Sequence, residues 1–564
     1  MESPRRDIDK GKRHGIITLV LCLFSVCVWG KVNDGSKDGN EKPKSPIEVE
    51  KTSLKEAAKD TQKVVLDYAD ELVFDQNMNP DFQILKGNVR FHRAGMKMFC
   101  DSAYFYETSN SMDAFGNVRM EQGDTLFVFS DVMYYDGVNE IAQLRYNVRL
   151  QNRDVTLYTD SLNYDLIPNI GYYYAGGKII DSQNELTSIY GEYSPDTKDA
   201  IFYFDVVLKG NNATLYSDTL QYNTATHIAD ICSPTVIQSD SGAIYSRDGW
   251  YDTNNNQSTL YKRSIVVNKT YFLTGDTIFY DRDNGYGEVF GGMFLEDTLR
   301  KVIMQGEYGY YFERNDSAMA TDSAVMIDCS QIDTLYLHAD TLRTITLADS
   351  TRLMKAYFNT RFYRRDIQGV CDSMVFDSRD TAIYMFRNPV LWNTAYQLFG
   401  DTIRIYMNDS TIDWMHIPSF AFAVQQKDTA FFDQISGKDM KGYFVDGNMD
   451  KVDVSGNVRT IFYPQEEDST FTGLNNAISG FLSMTINHET GKMDKLTMWP
   501  EVEGSLTPIP MIKPKDLYLP DFRWYQSIRP KNPEDIFRRI KNDSEELPKK
   551  RRKFSNTVED MPVP

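Results

Sequence analysis

The chain is predicted to be all-β, built from tandem repeats of about 30 residues stacked into one long body. Three observations predict this: a recurring phrase, its two-residue alternation, and an aromatic-rich composition. The phrase is Asp, then Ser or Thr, an apolar residue, a variable one, and an aromatic or aliphatic one. It stands at Asp101–Phe105, Asp160–Tyr164, Asp218–Tyr222, Asp276–Tyr280, Asp372–Phe376 and Asp401–Ile405, with looser copies from Asp70, Asp131, Asp322 and Asp340. From Asp70 the first steps are 31, 30 and 29 residues, and Asp372 to Asp401 is again 29. Stacked repeats of this kind make long surfaces or grooves rather than compact catalytic pockets. Aromatic residues make up 13% of the chain, with 35 Tyr and 32 Phe, and these are strand formers.

Residues 1–30 are expected to be an export signal, or else an uncleaved N-terminal anchor. Arg5, Arg6, Lys10, Lys12 and Arg13 precede an apolar run from Ile16 to Trp29, which is short for a membrane span. Residues 31–63 are expected to form a linker, with a short helix after the capping-box spacing Ser53–Glu56. The signal removed, four cysteines remain: Cys100, Cys232, Cys329 and Cys371. Their spacing matches no zinc or redox motif, and free, packed thiols are expected.

The repeat region is placed at 64–504. Positions two and four after each Asp are apolar: Leu72/Phe74, Ala103/Phe105, Met133/Tyr135, Leu162/Tyr164, Leu220/Tyr222, Ile278/Tyr280, Ala324/Met326, Met374/Phe376 and Ile403/Ile405. A strand with one buried face has this period. A second phrase lies between copies, as Gly87-Asn88-Val89-Arg90, Gly116-Asn117-Val118-Arg119, Asn147-Val148-Arg149 and Gly456-Asn457-Val458-Arg459. Gly-Asn is read as a turn, with Val opening another half-buried strand. Because a buried carboxylate is costly, the Asp is expected at a turn or rim, capping backbone N–H groups. About 14 units, each giving one strand to each of two facing sheets, would span ~65 Å. Arg247 and Glu307 stand where Asp belongs, so an irregularity or insertion is expected around 307–340.

Residues 505–564 form a Pro-rich, basic tail. Pro508, Pro510, Pro514, Pro520, Pro530 and Pro533 confine its first half to extended or turn structure. Asn532 before Pro533 reads as a helix start, giving a short helix near 534–541. The basic run Lys549–Lys553 is a solvated tail or a contact with an anionic membrane surface.

The residues argue against several functions. A formal charge of −19 disfavours nucleic-acid binding, which needs a basic surface. No H-E-x-x-H, G-x-S-x-G or G-x-x-x-x-G-K-[ST] motif occurs, so no enzyme, cofactor or metal site is expected. Asp281-Arg282-Asp283-Asn284-Gly285 lacks the register of a calcium loop and reads as a turn. The inward row of large apolar residues fits either a dry core or a groove for apolar chains.

The run Gly87-Asn88-Val89-Arg90, Cys100-Asp101-Ser102-Ala103-Tyr104-Phe105-Tyr106, Gly116-Asn117-Val118 resembles the OstA/LptA-like family, in which a G-N-V strand alternates with an A-D-x-x-x-Y strand. Ser217–Tyr222 and Gly275–Tyr280 are similar to its G-D-x-I-x-Y phrase. The likeness is clearest over 64–165 and recurs to about residue 499. It implies an open, taco-like β-jellyroll in the periplasm, associated with the inner or outer membrane. It implies a non-enzymatic carrier or bridge for lipopolysaccharide or another lipid, joined to other β-jellyroll transport proteins by edge-strand addition. The groove candidates are then Leu72, Phe74, Ala103, Phe105, Met133, Tyr135, Leu162, Tyr164, Leu220, Tyr222, Ile278, Tyr280, Met374, Phe376, Ile403 and Ile405. The alternative is a structural or adhesive β-solenoid with a dry core. The chain departs from the family in its length and in its Pro-rich tail.

Overall fold

In a computed structural model, the described residues are 63–539 apart from 78, 394–395, 409–410, 467–469 and 488–492. The chain divides into two compact units, 1–61 and 62–564, and every described residue lies in the second. The expected signal, most of the linker and its helix, and the basic run Lys549–Lys553 lie outside the described residues.

Among the described residues, 40 strands form one continuous antiparallel ladder. Long strands such as Gln83–Arg93, Met96–Tyr106 and Ser111–Gln122 follow one another as a meander. Elsewhere a rung is split into two short strands. Val155–Asp165 pairs through Thr156–Thr159 with Gly177–Ile180, and through Asn163–Asp165 with Ile170–Tyr172. Each rung thus crosses from one sheet wall to the other at a corner. Each 30-residue unit supplies two such rungs, not one, so stacking at ~4.8 Å doubles the expected span to on the order of 130 Å.

The corner is where the two sequence phrases meet. Lys86 pairs with Ser102 and Val89 with Cys100, which leaves Gly87 and Asn88 together opposite Asp101. This is a β-bulge, and bulges bend strands. Gly-Asn is therefore a mid-strand corner rather than the expected turn. Both bulge residues are left-handed, with φ of 74° at Gly87 and 48° at Asn88, where Gly and Asn are least strained. The Asp does sit on the exposed rim, but its partner is not a backbone N–H. Asn88 Nδ2 donates to Asp70 Oδ2 at 3.0 Å, Asn117 to Asp101 at 2.8 Å, Asn147 to Asp131 at 2.7 Å and Asn359 to Asp340 at 2.7 Å. At the Gly291-Gly292 corner, which lacks Asn, Arg263 donates to Asp276 at 3.4 Å instead, and at the Arg387-Asn388 corner it is Arg387 that donates to Asp372, at 3.1 Å. The bulge also shifts the alternation by one residue, so that Cys100 and Ala103 both face inward.

The expected irregularity at 307–340 is not a break. Strands Val302–Phe312, Ser317–Asp328 and Leu335–Thr346 continue at full length, and the Glu307 carboxylate accepts from Gly292 N at 3.3 Å beside the bulge. Asp281–Gly285 is a turn, closed by Asn284 N donating to Asp281 Oδ1 at 3.0 Å.

After the last strand, Glu503–Pro508, the chain turns back as a strap across the outer face of the sheet. Here the wall is buried on both faces. Leu391 and Leu398 point to the interior, while Trp392, Phe399 and Phe422 pack outward against Leu519, Tyr525 and Ile528. Two fully buried glutamines grip the strap by its backbone. Gln397 accepts from Tyr525 N at 2.7 Å and donates to Arg523 O at 2.9 Å. Gln434 accepts from Leu519 N at 2.8 Å and donates to Leu517 O at 2.9 Å. Asn532 caps the next turn, accepting from Asp535 N at 2.9 Å. The short helix expected near 534–541 is a 3-10 helix, Pro533–Phe537; residues from 540 lie outside the described region.

Candidate functional site

The site the sequence points to is the inward row, and the structure buries most of it. Ala103, Phe105, Met133, Tyr135, Leu162, Tyr164, Leu220, Tyr222, Ile278, Tyr280, Met374, Ile403 and Ile405 are all buried in one interior cluster, and Phe376 packs partly buried against it. Fully burying one such side chain contributes ~1.5–3 kcal/mol. Leu72 and Phe74 correct the expectation: they are 51% and 53% exposed. Leu72 pairs with the buried Leu85 and so shares its face, but it lies on the first edge, where no further rung covers it.

The two walls meet along two lips made by the turns. One lip carries turns 107–110, 137–140, 166–169, 195–198 and onward; the other carries 94–95, 123–125, 153–154, 181–184 and onward. Polar clasps join them. Arg93 pairs with Glu140 at 2.7 Å, and Asn152 Nδ2 donates to the Tyr193 hydroxyl at 3.2 Å. Asn184 donates to the Tyr222 hydroxyl at 2.8 Å, and that hydroxyl donates to Asp181 at 2.6 Å. Asn268 donates to Glu313 at 2.7 Å, and Arg300 pairs with Asp316 at 2.6 Å. Burial, reinforced by Asp181, drives the Tyr222 hydroxyl well above its ordinary pKa, so it stays a neutral donor.

Sequence reasoning missed a third of the pattern behind these clasps. Tyr135, Tyr164, Tyr193, Tyr222, Tyr251 and Tyr280 are spaced by 29 residues, and every one is buried. Tyr193 and Tyr251 escaped notice because their copies lack the Asp-Ser phrase, although the spacing alone would have found them. Tyr164 and Tyr251 bond Asn169 at 2.5 Å and Asn256 at 2.8 Å in their own turns. Five of the six hydroxyls thus finish the core at the lip, where an apolar ring ends and a polar atom reaches a partner; that of Tyr135 is buried without one.

The run of fully buried tyrosines stops at Tyr280. The next fourth position, Tyr311 after Glu307, is only partly buried, and Thr344, Phe376 and Ile405 follow it; these three line a cavity of about 250 Å³ together with Met326, Met354 and Met374. A second cavity of about 250 Å³ adjoins it through Val302, Thr344 and Arg352. Burial and the nearby Arg300 lower the pKa of the Arg352 guanidinium, against the pull of Asp316, Asp297 and Asp328. The inner walls are Met, Phe, Leu and Ile, with Asp328, Ser330, Asp333 and Arg364 toward the lip, so the arrangement can hold an apolar group. Among the described residues, no group of His, Cys, Asp and Glu is arranged to hold a metal ion.

An all-β jellyroll of bulged rungs around a continuous apolar interior defines the class of protein. Residues 61–218 and 206–334 each match the model of the OstA-like protein family, and the chain belongs to that family. No curated protein matches the chain. The rungs after residue 334 repeat the same corner, as Asp340–Asn359 and Asp372–Arg387 show.

Proposed function

We propose that this chain is a non-enzymatic carrier or bridge for acylated lipid, with lipopolysaccharide the cargo its family membership favours, working in the periplasm between the two membranes. The observation that carries this reading is the inward apolar row, continuous in one cluster from Leu85 to Leu482, which widens into a cavity walled by Met, Phe and Ile. Large flexible thioethers suit a guest without fixed shape, and a chain needs apolar wall rather than directed polar contacts.

The two ends support the bridging part. Strands Val65–Tyr68 and Glu71–Val73 pair only with Gln83–Arg93, and Met493–Trp499 and Glu503–Pro508 pair only with Gly473–Ile486. Among the described residues, both ends leave an unpaired edge with exposed Tyr68, Leu72, Leu496, Trp499 and Leu506. Free edges of this kind accept another strand, and we assign them to docking with other β-jellyroll transport proteins. The domain scheme is an N-terminal export signal or anchor, a linker, the jellyroll and a tail.

The experiment is site-directed photocrosslinking to lipopolysaccharide. A photoreactive residue at Phe376 is expected to crosslink, and one at the outward-facing Tyr245 is not. Equal labelling at both positions overturns the carrier reading.

A further inference from the structure

We propose that the stretch from Cys329 to Ile412 is a lateral port, through which one acyl chain enters an interior that is clasped shut along the preceding rungs. This rests on the carrier reading above and goes beyond it by naming where the interior opens and how much it admits.

Two independent changes coincide at this place. The first is in the clasps. From Arg93–Glu140 to Arg300–Asp316 the lips are joined by side-chain bonds. Among the described residues of the turns from Cys329 to Asp380, the bonds run along a single lip. Arg365 pairs with Asp333, Arg364 with Asp366, and Arg379 with Asp349. The second change is in the wall. The fully buried tyrosines that finish the core up to Tyr280 give way, past the partly buried Tyr311, to Thr344, Phe376 and Ile405, none of which carries a ring hydroxyl to reach the opposite lip. Loss of clasp and loss of ladder fall on the rungs that surround the cavity.

The cavity also reaches the surface there. Its lining includes the exposed turn residues Ser330 and Gln331, and Ile332 beside them is fully solvent-exposed. An opening rimmed by a polar turn and floored by methionine suits an amphiphile whose head stays in water while its chain goes in. The capacity sets the guest. This cavity and the one adjoining it are each about 250 Å³, together within the lower part of the ~300–1,000 Å³ of ordinary small-molecule sites, so the port seats one chain rather than a bundle.

The test uses the full chain, purified without detergent, and a diazirine-bearing palmitate, with adducts mapped by mass spectrometry. Adducts are expected on Met354, Met374 and Met407, at roughly tenfold or more the yield on Met133 and Met293, which are buried in the clasped stretch. Equal yields along the whole row overturn the port but leave the carrier reading standing. No adducts anywhere overturn both. Met374→Trp, checked for native circular dichroism, is expected to abolish labelling at the port by filling it; unchanged labelling overturns the assignment. Arg300→Gln opens the last clasp and is expected to extend labelling to Met293; if Met293 stays unlabelled, the clasps are not what closes the interior.

Discussion

Asp101 and Asn117 are bonded side chain to side chain at 2.8 Å across a bulge, which joins the two phrases that recur through this chain. Asp supplies the acceptor on one strand, and the left-handed Asn supplies the donor on the next. Four such pairs, from Asp70–Asn88 to Asp340–Asn359, hold successive corners. The phrases are therefore two halves of one bending device.

Asn117→Ala is expected to cost about 0.5–1.5 kcal/mol, the low end for a bond to a charged group because the pair is exposed. Asp101→Ala should cost about the same, and the double variant little more than either single one. Chemical denaturation of the three variants reads this directly. Fully additive losses would show that the two side chains act separately.

Much of the fold was legible in the sequence, because the period of about 30 residues and the two-residue alternation survive in most copies. Two features were not. Gly-Asn reads as a turn from local propensity, yet facing strands turn it into a bulge, and only the Asp across the ladder decides between them. The strap was hidden because Pro-rich sequence has no periodicity. Its docking face did leave a trace, in Val390-Leu391-Trp392 and Phe420-Ala421-Phe422, where alternation gives way to continuous apolar runs. Such runs mark strands buried on both faces. The inward row was read correctly as buried wherever a rung covers it, and Leu72 and Phe74 failed only because they sit at an edge.

The strap should detach when its clamps are removed. Gln397→Ala leaves Tyr525 N and Arg523 O without their partner, and is expected to cost about 2–4 kcal/mol of local docking stability. Hydrogen exchange should rise across residues 517–528 while the rungs before residue 300 stay protected. Unchanged exchange in the strap would show that its apolar contacts alone hold it.

All four described cysteines are free, but only two are packed. Cys100 and Cys371 are buried, whereas Cys232 and Cys329 are exposed, which corrects the expectation for the latter pair. Burial, aided by Asp101, holds the Cys100 thiol up to about 12, and burial likewise raises Cys371. Of the four described cysteines, maleimide at neutral pH should label only Cys232 and Cys329, with Cys100 and Cys371 reacting only after unfolding. Native labelling of Cys371 would contradict the packed corner.

Stability beside the strap should fall as pH rises. Burial pushes the Asp433 carboxyl up to about 6, against the Tyr463 N–H and Lys427 that favour its ionised form. A carboxyl whose pKa is raised on folding binds more protons folded than unfolded, so its contribution is fullest at low pH and is lost between about pH 4 and 6. The loss is at most on the order of 2–3 kcal/mol. Asp433→Asn should flatten this part of the profile in urea denaturation at pH 4.5 and 7; an unchanged slope would locate its cause elsewhere.

The most direct test of the central claim is what the protein carries. The full chain from Met1, purified without detergent, should yield acylated lipid on organic extraction and mass spectrometry, and Met374→Trp should yield much less. A native, well-folded protein that yields no lipid and takes up none when lipopolysaccharide is supplied would contradict the account and favour a dry structural core.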